Sequence, residues 1–163
     1  MLISKNISSS WKLLISILVC EAVGFASGLL SMIEANPWFD KLNAPLWNIP
    51  TYLFSPIWTF LYFIIGVSFW LIWRSNADAL LKRNAQLLFF LQLFFNFLWS
   101  VLFFRFHSPL LALVDVSLLT IVTLTTVLYF IRISQVAALL LIPYLSWISF
   151  ASVLNYTIWI LNR

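Results

Sequence analysis

Long apolar segments separated by short polar ones dominate the chain. Successive runs of roughly 20 apolar residues, each able to cross a hydrocarbon core about 30 Å thick, account for most of its length. The pattern predicts transmembrane helices over residues 13–33, 51–73, 84–104, 110–131 and 136–161. We therefore expect an all-α membrane protein, a five-transmembrane-helix bundle formed by one domain over residues 1–163.

The connections between these helices are short, with one exception. Arg105–Pro109 and Arg132–Gln135 are predicted tight turns, and Arg74–Arg83 is a predicted polar loop. Residues 34–50 form the only connection long enough to be a structure in its own right.

Residues 34–50, the first loop, are dense in tryptophan and proline, with Trp38, Trp47, Pro45 and Pro50 among them. Tryptophan gathers at any membrane surface, so these residues could simply form an interfacial aromatic belt. The prolines instead favour a fixed loop shape, which predicts a lid over a cavity.

Composition excludes several classes of protein. The chain is 63% hydrophobic and 9% charged, with a mean hydropathy of +1.02, which no water-soluble domain could bury. Its single cysteine, Cys20, excludes an intramolecular disulfide and a multi-cysteine metal site, and His107 stands alone, so we expect a surface histidine, no metal and no obligatory cofactor. The net charge of +4 is spread over helix ends, which argues against nucleic acid as a partner and favours membrane lipid.

The basic residues also predict an orientation. Most of them fall in the N-terminal segment and the second and fourth connections: Lys5, Lys12, Arg74, Lys82, Arg83 and Arg132. The positive-inside rule then places the N-terminus in the cytoplasm, with the first loop on the other side. The first helix is too long for a typical signal peptide, and short loops without a mitochondrial-style presequence favour a bacterial inner (plasma) membrane.

Three predicted helices each have a face that mixes large aromatic side chains with uncharged hydrogen-bonding groups. These faces comprise Trp58, Tyr62, Phe69 and Trp73; Gln92, Asn96, Trp99 and Phe103; and Tyr144, Trp147, Ala151 and Asn155. Such residues commonly tie membrane helices together and fill the space between them. Aromatic walls with a few polar anchors are also what a pocket for a flat, greasy ligand requires.

Two acids fall at membrane depth, where an ionised carboxylate is expensive. Glu21 shares a helix face with Gly24, Gly28 and Ser31, a small-residue stripe that lets another helix approach closely. It is either a protonated group at a helix contact or a proton-coupled or ligand-binding group. Asp115 lies near the start of the fourth helix and is either a structural acid or a pocket-rim acid.

Three blocks of the chain carry a family resemblance. They are Trp38-Phe39, Pro45, Trp47 and Pro50 with Pro56-x-Trp58-Thr59-x-Leu61-Tyr62-x3-Gly66; Gln92-x3-Asn96-x2-Trp99 with Ala112-x-Val114-Asp115; and Pro143-Tyr144-x2-Trp147-x2-Phe150-Ala151-x2-Leu154-Asn155-Tyr156. The blocks resemble the TspO/MBR family, which comprises bacterial tryptophan-rich sensory proteins and the mitochondrial translocator protein.

The resemblance implies a membrane receptor, sensor or carrier, often a homodimer, that binds porphyrins, haem and related tetrapyrroles in a cavity under the first loop. Carried over by position, and with Tyr62 added from its aromatic face, the ligand-binding residues are Trp38, Trp47, Trp58, Tyr62, Asn96, Trp99, Asp115, Trp147 and Ala151. In some bacterial members, tryptophans resembling Trp58 and Trp147 are implicated in light- and oxygen-dependent porphyrin breakdown. The alternatives are therefore a porphyrin-degrading enzyme with Trp58 and Trp147 as catalytic residues, and a small proton-coupled transporter using Glu21.

The chain departs from the family pattern at two places. Ile49 stands where the first of two adjacent prolines is usual, which changes the expected shape of the loop. Ile160 stands where the sterol-recognition pattern of animal members requires a basic residue after Tyr156, so sterol binding through that pattern is not supported.

Overall fold

Five long α-helices make up most of the chain that the computed structural model describes, which is residues 8–34, 38–47 and 51–163. The helices are α1 (Ser9–Glu34), α2 (Thr51–Arg74), α3 (Ala79–Ser100), α4 (Pro109–Ile131) and α5 (Gln135–Leu161). Each is long and apolar enough to cross a membrane. The expected all-α fold with five membrane-spanning helices is confirmed, and the protein is a multi-pass integral membrane protein.

Two helices begin earlier than the hydrophobic pattern predicted. α3 begins at Ala79 rather than at residue 84, because one carboxylate oxygen of Asp78 accepts hydrogen bonds from the backbone N–H groups of Leu80 and Leu81, both at 3.0 Å. The predicted polar loop therefore ends at Asp78, and the prediction that it extended to Arg83 was wrong. Likewise α1 begins at Ser9 rather than at residue 13. The first turn of a helix can contain charged and hydroxyl side chains at the membrane surface. A hydropathy pattern does not detect such a turn, so it places the start of the helix too late.

The end of α3 differs from a regular helix. It continues into a wider π-helical turn over Val101–Arg105, and the backbone then reaches a positive φ of 50° at His107 before Ser108 caps α4. Such turns are rare and are often found at functional sites. Phe103 and Phe104 of this turn contact Trp38 and Phe39 of the first loop.

The helices form a closed ring in the order α1, α2, α5, α4, α3, with α3 again in contact with α1. Between the neighbouring helices α2 and α5, Ser68 donates a hydrogen bond to the backbone oxygen of Ala137 at 2.7 Å. Buried side chains of α2, α3, α4 and α5 form one common interior, away from lipid.

α1 approaches α2 closely at two glycines. A Cβ atom added to Gly66 would lie 2.7 Å from the Cα of Ile17, and one added to Gly24 would overlap the ring of Tyr62. By contrast, a Cβ atom added to Gly28 would have no atom within 4 Å. The small-residue stripe of α1 is thus partly used for packing inside the chain, which leaves Gly28 but not Gly24 available for the predicted homodimer.

The two ends of the bundle differ in chemistry. At one end, which we call the loop end, residues 38–47 pack against the π-helical turn and the last turns of α5. At the other end, the basic end, lie Lys12, Arg74, Lys82, Arg83 and Arg132. Pro37, Ile49 and Pro50, on which the predicted loop shape depended, lie outside the described residues.

Candidate functional site

Three polar side chains from three helices meet in the interior of the bundle. Tyr62 of α2 donates its hydroxyl hydrogen to the side-chain oxygen of Asn96 in α3, and the Asn96 amide nitrogen donates to the hydroxyl oxygen of Tyr144 in α5 at 3.0 Å. All three side chains are almost completely buried. Asn96 therefore connects two tyrosines, and we call these residues the Tyr–Asn–Tyr triad.

An aromatic cluster lies between this triad and the loop end. The indole rings of Trp58 and Trp147 meet edge to face, with centroids 6.2 Å apart. Trp58 also stacks on Tyr62 at 5.5 Å and meets the edge of Tyr144 at 6.5 Å. Trp58 therefore connects the tryptophan pair, Trp58 and Trp147, to both tyrosines of the triad.

The cluster continues from Trp147 towards the first loop. Phe150 lies 5.9 Å from Trp147, and Trp47 of the loop meets Phe150 edge to face at 5.8 Å. Phe54, in the first turn of α2, contacts Trp147 from another side at 6.1 Å. A line of aromatic rings thus connects the half-exposed Trp47 to the buried interior.

Two other predicted site residues belong to a separate aromatic group. Trp38 stacks on His107 with centroids 4.5 Å apart and meets Phe103 edge to face at 5.6 Å. Phe103 in turn stacks on Trp99 at 5.2 Å. The structure therefore places Trp38 and Trp99 together, but in a different group of rings from the tryptophan pair. His107 is exposed as predicted, but its stacking on Trp38 could not be inferred from sequence.

The indole of Trp99 is held by polar contacts between helices. Its N–H donates to the side-chain oxygen of Asn155 at 2.9 Å, and the Asn155 amide donates to the backbone oxygen of Pro109 at 2.7 Å. These bonds join α3, α5 and the start of α4. For Trp99 and Asn155, the interpretation that polar residues tie helices together thus accounts for the observed contacts.

Several buried polar groups have no hydrogen-bond partner within the described residues. They are both carboxylate oxygens of Asp115, both amide atoms of Gln92 and the hydroxyls of Ser27 and Thr123. Asp115 is only 3% exposed, and burying polar atoms without partners is costly unless water or a ligand completes their bonding. Asp115 is therefore a candidate polar contact for a bound molecule, whereas Ala151, the last predicted site residue, is half-buried one turn after Trp147 on α5.

The tryptophan pair is closed in this structure. Since Trp58 and Trp147 touch each other, a flat ligand can stack between them only if the rings separate. Two grooves with volumes of about 180 Å³ and about 290 Å³ lie instead nearer the basic end, one between α4 and α5 and the other among α1, α2 and α3. Ligand access to the pair therefore requires movement of side chains or of the loop.

Asparagine side chains fasten the first loop to the end of α5. The backbone N–H of Asn43 donates to the side-chain oxygen of Asn162 at 2.9 Å, and the Asn162 amide donates to the backbone oxygen of Asn43 at 3.0 Å. This reciprocal pair holds the loop against the C-terminal end of α5. Movement of the loop requires that the pair break.

Replacing Asn162 with alanine is expected to release this segment. Both bonds are lost, and at about 1 kcal/mol each their loss should speed hydrogen exchange at the Asn43 amide by about tenfold or more. Exchange measured by mass spectrometry on detergent-purified protein would check this. Arg163→Ala, one residue further on, removes no bond to the described part of the loop and should leave the rate unchanged. Equal rates in all three proteins would contradict the proposed anchoring.

The chain matches known proteins over most of its length. Residues 16–160 match the family model described as the TspO/MBR family. The chain is 42% identical over 153 residues to "Tryptophan-rich protein TspO" of Archaeoglobus fulgidus, covering 93% of this chain and 97% of the relative. It is 42% identical over 148 residues to the protein of the same name from Chlorobaculum tepidum, covering 88% and 91%. It is also 34% identical over 143 residues to "Translocator protein" of Sus scrofa, covering 87% and 85%.

Proposed function

The chain belongs to the TspO/MBR family, and on that premise we propose that it is a membrane receptor, sensor or carrier that binds porphyrins and related tetrapyrroles at the tryptophan pair beneath the first loop. The observation that carries this proposal is the direct contact of Trp58 with Trp147 and with both tyrosines of the Tyr–Asn–Tyr triad. This arrangement provides large aromatic surfaces next to a few fixed polar groups, which suits a flat, largely apolar ligand.

A buried polar group in the bundle interior favours a ligand with some polar atoms. The buried carboxyl group of Asp115 has no partner within the described residues, and a ring nitrogen or carboxylic acid group of a tetrapyrrole is one source of the missing hydrogen bond. A purely hydrocarbon ligand would leave this group unsatisfied. The unpaired carboxyl group thus supports a tetrapyrrole more than a lipid tail.

A titration with protoporphyrin IX tests the proposal. We expect saturable quenching of tryptophan fluorescence in the dark by the detergent-purified wild-type protein. Stacking of a flat ring on an aromatic side chain is worth about 1–3 kcal/mol, so Trp147→Ala should raise the dissociation constant about tenfold or more. Trp11→Ala is the matched control. Trp11 is 61% exposed and lies near the start of α1, at the basic end, whereas the tryptophan pair lies towards the loop end.

Two outcomes of this titration would contradict the proposal. Equal affinity of the wild type and Trp147→Ala would place porphyrin elsewhere on the protein. Absence of saturable binding would remove the proposed ligand. Attention would then turn to Glu21, which lies half-buried on α1 without a hydrogen bond or ion pair among the described residues, and to proton-coupled transport that fails in Glu21→Gln.

The contact between the two indoles favours a second candidate function, light- and oxygen-dependent degradation of the bound porphyrin. Two electron-rich rings beside an excited porphyrin are placed to exchange electrons with it. The same titration under illumination tests this, because an enzyme would convert porphyrin to a product with a new absorption band. The conversion should disappear in Trp58→Phe and Trp147→Phe, whereas a receptor or carrier would bind porphyrin without turnover.

The proposed orientation follows from charge. We propose a bacterial inner membrane, which the short connections between the helices favour, and we place the basic end in the cytoplasm because that end holds most of the lysine and arginine residues. The first loop and the tryptophan pair then lie towards the opposite side of the membrane. The name of the Sus scrofa relative, translocator protein, supports the carrier interpretation for this chain.

A further inference from the structure

A membrane-facing groove of about 290 Å³ lies in the half of the bundle nearer the basic end, apart from the tryptophan pair. α1 and α3 line its two sides, and α2 contributes Phe69 and Trp73 between them. The lining residues are Ile15, Ser16, Val19, Phe69, Trp73, Gln86 and Phe90. The hydroxyl of Ser16 is already bonded to the backbone oxygen of Lys12 at 2.7 Å, so most of the lining offers apolar contact.

Two lysines lie at the basic-end entrance of this groove. Lys12 is one helical turn before Ser16 on α1, and Lys82 is one turn before Gln86 on α3. The Lys12 ammonium lies over the ring of Trp73, 5.8 Å from its centroid, and the Lys82 ammonium donates to the backbone oxygen of Ser75 at 2.6 Å. Both ammonium groups are therefore held next to the groove.

The charges of these lysines are not neutralised within the described part of the chain. The two ammonium groups are close enough to repel each other, and neither forms an ion pair with a described carboxylate. An ammonium has three hydrogens to donate, and Lys82 uses one of them on Ser75. The entrance thus combines concentrated positive charge with unused donors.

We propose that the groove binds one acyl chain of an anionic phospholipid from the surrounding membrane, with the headgroup phosphate between Lys12 and Lys82. Phosphate oxygens accept charge-assisted hydrogen bonds from ammonium groups, and basic pockets between membrane helices are typical sites for anionic headgroups. A choline headgroup would bring its own positive charge towards the lysines. The site therefore selects phosphatidylglycerol over phosphatidylcholine.

Charge also argues against a second copy of the chain in this groove. A two-fold symmetric contact would bring the same patch of both copies together, and hence two pairs of lysines to one interface. That arrangement adds repulsion where a lipid phosphate removes it. The proposal does not depend on porphyrin binding at the other end of the bundle.

Native mass spectrometry of the full chain tests the proposal, with equal amounts of dioleoyl-phosphatidylglycerol and dioleoyl-phosphatidylcholine in the detergent. The wild type should retain phosphatidylglycerol preferentially. A basic residue near an anionic lipid contributes about fivefold in affinity, so Lys12→Gln and Lys82→Gln should each lower retention about fivefold and the double variant about 25-fold. Arg132→Gln is the matched control. Arg132 follows α4 at the same end of the bundle, but it lies over the ring of Tyr129 and not beside this groove.

Two further experiments distinguish binding in the groove from binding to the lysines at its entrance. Val19→Trp fills the groove with both lysines intact and should weaken phosphatidylglycerol binding; Val19 is 41% exposed, so the change is compatible with folding. Glycerol 3-phosphate, which has no acyl chain, should not compete at millimolar concentration.

Several results would overturn the proposal. Equal retention of the two lipids by the wild type would remove the selectivity, and an equal loss in Arg132→Gln would reduce it to general surface charge. Competition by glycerol 3-phosphate would indicate a phosphate site without the groove. Conversion of a dimer to a monomer by Val19→Trp, with lipid retention unchanged, would identify a second copy as the occupant.

Discussion

Asn96→Leu is expected to destabilise the protein by about 2 kcal/mol and to weaken porphyrin binding at least tenfold. The substitution removes the acceptor of the Tyr62 hydroxyl and the donor to Tyr144, so it leaves two buried hydroxyl groups without these partners. An unsatisfied buried polar group costs about 1–3 kcal/mol, and membrane interiors fall at the low end of that range because their hydrogen bonds average about 0.6 kcal/mol. Reversible unfolding in sodium dodecyl sulfate would measure the change in free energy.

A triple variant separates hydrogen bonding from packing at the triad. In Tyr62→Phe, Asn96→Leu, Tyr144→Phe, no hydroxyl remains to be satisfied, so most of the lost stability should return. Porphyrin affinity should stay low, since the fixed polar groups beside Trp58 are absent. Wild-type stability of Asn96→Leu would show that the hydrogen bonds of the triad contribute little to the fold.

Gly66→Ala is expected to have the largest effect on stability. The added methyl group would lie 2.7 Å from the Cα of Ile17 and 3.1 Å from the backbone oxygen of Ser16. Overpacking typically costs about 1–3 kcal/mol when side chains can adjust, but here the obstacle is the backbone of α1, so the helix itself must move. We expect a loss of about 3 kcal/mol or more in the same unfolding measurement, or failure to obtain folded protein.

Gly28→Ala is the matched control for this prediction. A methyl group at Gly28 meets no atom within 4 Å, and replacing glycine with alanine inside a helix gains up to about 1 kcal/mol. Gly28→Ala should therefore be as stable as the wild type or more so. If both variants lose stability equally, the loss would come from glycine as a residue type and not from the contact between α1 and α2.

Much of the fold could be predicted from the sequence, because lipid imposes a simple length requirement on apolar segments. The ends of α2, α4 and α5 fall within one residue of their predicted positions. The start of α3 was wrong because a hydrogen bond to Asp78 decided it, and hydropathy carries no information about capping. The π-helical turn at Val101–Arg105 gave no recognisable sequence signal.

The site was only partly predictable for a related reason. Helical periodicity grouped Asn96 with Trp99 on one face of α3, and Tyr144 with Trp147 on one face of α5. It could not show which faces meet, so the Tyr–Asn–Tyr triad, the contact of Trp58 with Trp147 and the separate position of Trp38 emerged only from the packing of the helices.

The sequence by itself determined that this protein spans a membrane with five helices and that its tryptophans follow the TspO/MBR pattern. Both properties depend on residue type and spacing along one segment, and local periodicity is sufficient to reveal them. The tertiary structure decided which polar and charged groups have partners and which do not. Trp99 is bound to Asn155, the Asp115 carboxyl group has no partner among the described residues, and Lys12 and Lys82 are held beside an apolar groove. Each of these depends on contacts between helices that are distant in sequence, whose relative rotation only packing fixes.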